Sequence, residues 1–163
     1  MVGDLGVDGE LTWQMLALAV WALVAVMLMA QGAGVSLQAL VMVVLCLWAL
    51  LGLSLWLGVV LALGTLSMRM GLSGAGILTA PAFAFSGITY PLAAMPWGAK
   101  MVAMGLPLTH YLKVQVALLQ AGAPPMVAFK PLIGLSVAGV GLMLLAGRLL
   151  QRALRLRLRW GRR

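Results

Sequence analysis

The sequence predicts an all-α integral membrane fold: four transmembrane helices plus a re-entrant or interfacial helical hairpin on the extracytoplasmic side. Three observations predict it. Hydrophobic residues make up 64% of the 163 residues and charged residues 9%, where a soluble domain has about half and about 25%. A chain of this length can bury one core but leaves too much apolar surface for water, and lipid is the solvent that accepts it. Charge is also confined. The only carboxylates are Asp4, Asp8 and Glu10, and seven of the eight arginines lie from Arg148 onward.

The elements follow in chain order. Leu11–Ala30 is an uncharged apolar run of about 20 residues, roughly 30 Å as a helix. Gln31, Gly32, Ala33 and Gly34 interrupt it. Leu37–Leu66 follows, about 45 Å long and so tilted or protruding, with Arg69 marking its end. Within it Ser54, Gly58 and Ala62 stand four apart, a small-residue row that another helix backbone can approach closely. Leu72–Tyr90 carries Pro81 mid-run, which removes a backbone bond and favours a kink. Ser86, Gly87, Tyr90 and Pro91 then form a turn-type ending.

Residues 92–125 differ in kind. Pro96, Trp97, Lys100, Pro107, His110, Lys113, Pro124 and Pro125 interrupt the apolar residues too often for one clean crossing. Pro107 divides the stretch into two short helices, which suits an interface or a re-entrant turn. Trp97 and Tyr111 suit the headgroup level. Pro131–Gly147 is the last crossing, with Gly134 and Ala138 as a second small-residue row. The basic residues orient the whole. Arg69, Arg148, Arg152, Arg155 and Arg159 belong in the cytoplasm, so both termini are expected inside and Lys100, Lys113 and Lys130 outside. Arg148, Arg152, Arg155 and Arg159 are spaced four, three and four, which puts them in one arc of a helix continuing the last crossing. No linker, repeat or soluble segment divides residues 1–163, so a single membrane domain is expected.

The residues exclude several chemistries. The net charge of +8 would fit a nucleic-acid binder, but its clustering in the tail reads as a cytoplasmic flank touching anionic lipid, and no nucleic-acid partner is expected. There is no P-loop pattern, no H-E-x-x-H and no Cys/His cluster, so neither a nucleotide, a metal nor another cofactor is expected. Carboxylates confined to the first ten residues leave no acid pair for catalysis in the membrane. The 12 methionines are scattered and read as packing residues, as does the lone Cys46. His110 has two readings: a proton relay or substrate contact, or an interfacial side chain satisfied by water or backbone.

Two segments carry a family resemblance: Thr79-Ala80-Pro81-Ala82-Phe83-Ala84-Phe85-Ser86-Gly87-Ile88-Thr89-Tyr90-Pro91, followed by Met95-Pro96, and Leu106-Pro107-Leu108-Thr109-His110-Tyr111. Together they resemble the C-terminal half of an ABC type-2 exporter permease, particularly the bacterial multidrug-efflux branch. In that family an S-G-x-x-[FY]-P turn ends the fifth helix. A hairpin bearing L-P-L-T-[HY]-[FY] follows, then a sixth helix with a basic tail. The resemblance covers helices three to six, without the family's N-terminal half. It implies a permease subunit, or a fragment of one, in the bacterial inner membrane, forming part of a substrate path and lacking enzymatic activity. The implied partners are an ATP-binding subunit and a second permease copy or the N-terminal half. Ser86, Gly87, Tyr90 and Pro91 would shape the outer mouth, and Pro107, Thr109, His110 and Tyr111 the hairpin over it. The alternative is a small structural or assembly protein of the membrane.

Overall fold

A computed structural model describes residues 4–31, 34–87 and 91–155. All regular structure among them is helical: α1 (Asp4–Ala30), α2 (Leu37–Thr65), α3 (Met68–Ala84), α4 (Trp97–Gly105), α5 (Pro107–Leu119) and α6 (Phe129–Arg155), with short 3-10 turns at Leu92–Ala94 and Pro125–Ala128. Lipid dictates this economy, because a helix satisfies its backbone polar groups within itself.

Among the described residues, three helices are long and apolar enough to cross a bilayer: α1 over Thr12–Ala30, α2 over Leu37–Thr65, and α6 with its preceding turn over Pro125–Leu154. The α4–α5 pair, bent by 89°, passes the same test only if counted as one broken span. The third apolar run differs from expectation. Its helix starts at Met68 and stops at Ala84, so its 17 residues reach about 26 Å. Arg69 therefore sits in the first turn of α3 rather than closing α2. The helix runs on through Pro81, and the Phe85 N–H closes the last turn on the Pro81 carbonyl at 2.9 Å.

α2 is the central helix, touching α1, α3, α5 and α6. Its buried residues Ala39, Val43, Cys46, Leu50 and Leu53 fall four, three, four and three apart, a single stripe along one face. Tyr111, Val114 and Leu118 of α5, with Leu135 of α6, complete the core. Ser36 caps α2 by accepting the Ala39 N–H at 3.3 Å. At the other end Leu66 takes the left-handed conformation (φ 52°) and Ser67 starts α3, so two residues reverse the chain. The reversal brings α3 tightly onto α2. A Cβ on Gly71 would stand 3.1 Å from the Ala62 Cα.

Chain direction follows from which residues meet. Cys46 Sγ lies 3.9 Å from the Ala128 carbonyl oxygen, and Gly139 faces the Leu53 backbone. Positions on α2 and α6 therefore rise together, and the two helices run parallel. α1 is antiparallel to α2, with Met15 against Gly52 and Met29 at the far end bonded to α5. α5 also opposes α2: Gln115 Nε2 donates to Met29 Sδ at 2.8 Å, while Pro107 and His110 share a groove with Leu53. α6 continues past Gly147 to Arg155, as a helix rather than a strand. Arg159 lies outside the described residues.

Candidate functional site: a groove at the α4–α5 elbow

The elbow is built by one residue. Pro107 has no N–H to donate and opens α5 at its first position. Leu106 before it is extended (φ −90°, ψ 127°), as a residue preceding proline prefers, and this separates α4 from α5. The far end of α5 is closed by Gly122 at φ 62°, with the Ala123 N–H reaching back to the Ala117 carbonyl at 2.9 Å.

Beneath the elbow lies a groove of about 400 Å³ lined from four helices: Leu53 of α2, Gly105 of α4, Pro107 and His110 of α5, and Lys130, Pro131, Gly134, Leu135 and Ala138 of α6. It gathers four residues singled out in the sequence, Pro107, His110, Gly134 and Ala138. Their small or ring-closed side chains leave room: no atom lies within 4 Å of where a Cβ on Gly105 or Gly134 would be. Leu53 stands 16 residues along α2, about 24 Å from its start, so the groove reaches well into the bundle.

His110 is held by its own segment, with Nε2 2.8 Å from the Met104 carbonyl oxygen. A carbonyl only accepts, so Nε2 carries the proton and Nδ1 is the ring's other polar atom. Thr109 is fully buried, and its Oγ1 has no hydrogen-bond partner, an arrangement that costs about 1–3 kcal/mol. Tyr111 is 7% exposed and packs in the core with Val114 and Leu118. Trp97 is 77% exposed.

Ser86, Gly87 and Pro91 do not line the groove. Ser86 is buried and donates from Oγ to the Phe83 carbonyl at 2.7 Å. Gly87 has φ 94°, and a Cβ there would meet Leu92 Cγ at 3.1 Å, so the position requires glycine. Pro91 precedes the 3-10 turn, and Tyr90 lies outside the described residues.

The small-residue row on α2 divides. Ala62 makes the close approach to Gly71, whereas no atom comes within 4 Å of a Cβ position at Gly58. Ser54 is exposed and satisfies its hydroxyl by donating to the Leu50 carbonyl at 2.8 Å. Ser54 and Gly58 thus present an open face within one chain. Arg69, Arg148 and Arg152 are exposed, and Arg155 ends α6. Sequence reasoning missed Leu53, Gly105 and Lys130 as groove residues. The available signal was Lys130 itself, a cation beside an apolar run in a chain with no carboxylate after Glu10.

No group of three or more potential metal ligands occurs among the described residues. Helices of this length and apolarity, with outward-facing residues such as Trp13, Trp21, Val137 and Leu144 exposed, define a multi-pass membrane protein. The family profile of the ABC-2 type transporter matches residues 7–119, the stretch from α1 to the end of α5. The chain belongs to the ABC-2 type transporter family, as a permease component and not a catalytic one. No curated protein and no solved structure matches it.

Proposed function

We propose that the chain is the permease subunit of an ATP-driven exporter of the bacterial inner membrane, and that its groove forms part of the substrate path. ATP hydrolysis belongs to a separate ATP-binding subunit, and a second permease copy completes the path. The observation that carries this reading is the family match, which runs through the α4–α5 pair. The bent pair and the groove beneath it supply the kind of interrupted helix that lines a transport site. Ser86, Gly87, Tyr90 and Pro91 act as the outer turn, and Pro107, Thr109, His110 and Tyr111 as the gate. Ser54 and Gly58 offer the face for a partner helix.

The test is expression with an ATP-binding subunit of the same transporter class. The two should co-purify, and ATP-dependent export should be lost when the permease is omitted. A chain that associates with no ATP-binding protein and supports no ATP-dependent efflux is a structural membrane protein instead.

The topology completes the proposal: four crossings, both termini cytoplasmic, and residues 92–125 outside. Parallel α2 and α6 need an odd number of crossings between them. If α3 and its turn cross, the α4–α5 pair enters and leaves from one side. The same parallel course brings Arg69, Arg148 and Arg152 towards one end, in keeping with a basic cytoplasmic face. Membrane-impermeant maleimide added outside should label Lys100→Cys and spare Arg157→Cys. The reverse pattern would refute this orientation.

A further inference from the structure

We propose that the groove under the α4–α5 elbow binds an acidic amphiphile, a single apolar chain along Leu53, Leu135 and Ala138 with its acidic head at Lys130. The inference rests on the exporter reading and deepens it by naming a substrate class.

Charge carries the argument. No carboxylate follows Glu10 in the sequence. Asp4, Asp8 and Glu10 stand on the first turns of α1, and antiparallel packing directs that end of α1 away from the start of α6. Among the described residues, Lys130 therefore meets no acid across the groove. It lies in the first turn of α6, where the helix dipole adds positive potential. Lys130 is exposed at the groove, so its ammonium can meet a negative group from outside, and beside hydrocarbon a charge gains from such a partner. With Nε2–H of His110 donated to the Met104 carbonyl at 2.8 Å, Nδ1 of the neutral ring only accepts, so the anionic head rests on Lys130.

The rest of the lining is apolar, from Leu53, Pro131, Leu135 and Ala138. A bare inorganic anion would gain nothing from it, and a cationic amphiphile would face Lys130. The volume of about 400 Å³ lies within the range of small-molecule sites. The absence of any atom within 4 Å of a Cβ on Gly105 or Gly134 makes this space accessible rather than packed.

The test uses the full chain in phosphatidylcholine nanodiscs, with the fluorescent fatty acid cis-parinaric acid and its methyl ester as probes, read against protein-free discs. The acid should bind about tenfold more tightly than the ester. Lys130→Gln should erase that preference, while Lys113→Gln, equally exposed but outside the groove, should leave it intact. Gly134→Leu should weaken both probes by filling the space. Equal binding of acid and ester, or an acid preference that survives Lys130→Gln, overturns the proposal. Displacement by a few mole percent of phosphatidylglycerol overturns it too, by making the groove a phospholipid site. Because no ATP-binding subunit is present, failure here leaves the exporter assignment untouched. Failure of ATP-dependent export likewise leaves the binding result standing.

Discussion

Gly71→Leu is expected to destabilise the bundle by about 1–3 kcal/mol, the scale of overpacking, with a lower unfolding temperature in detergent. A Cβ at this position already stands 3.1 Å from the Ala62 Cα and 3.4 Å from its N. These are backbone atoms of a helix and cannot swing aside, so even Gly71→Ala should cost stability. Gly139 is the contrast. Its Cβ would lie 3.8 Å from Leu53, an ordinary contact, and alanine favours a helix interior over glycine by about 1 kcal/mol. Gly139→Ala should therefore be neutral or stabilising. Equal stabilities for Gly71→Ala and Gly139→Ala would show that α3 does not sit against α2 as described.

The second large effect is expected from Leu118→Ala. Leu118 is 2% exposed and joins α5 to the stripe on α2 that includes Val43 and Cys46. In water such a truncation costs about 2–5 kcal/mol. In a membrane the transfer part shrinks, because lipid is as apolar as the core, and the lost packing leaves about 1–3 kcal/mol. The lone Cys46 is fully buried and reports the change directly. A membrane-permeant maleimide should label it faster in Leu118→Ala than in the parent chain. Unaltered labelling together with unaltered thermal stability would mean that α5 does not depend on this contact.

Much of the helical layout was legible because lipid leaves few choices for an apolar run. Leu37 as the start of α2, the break at Pro107 and the helical course through Gly147 all follow from backbone satisfaction and proline chemistry. Boundaries in water were less legible. Asp4, Asp8 and Glu10 do not interrupt α1, since carboxylates suit the positive N-terminal end of a helix. Arg69 opens α3 because the chain reverses just before it, at Leu66 and Ser67. Burial was not legible for Tyr111, whose ring suits either a wet surface or a core, until α5 packed it with Val114 and Leu118. Nor does a small-residue row name its neighbour: Ala62 found one in Gly71, while Gly58 faces open space. The groove depends on residues from four helices far apart in sequence, so only the tertiary course could join Lys130 to His110 and Leu53.

The unbroken course of α6 has a mechanical consequence. Its 27 residues form one rod of about 40 Å, with Lys130 in the groove at one end and Arg152 exposed at the other. Pro131 falls in the first turn, where proline does not break a helix. Gly139 rests against α2 part-way along, between the buried Ala128 and Leu135 on one side and Ala146 on the other. A push on the basic end is thus borne by a strut held at several points, so it is carried along the axis to the ligand space and not lost in bending.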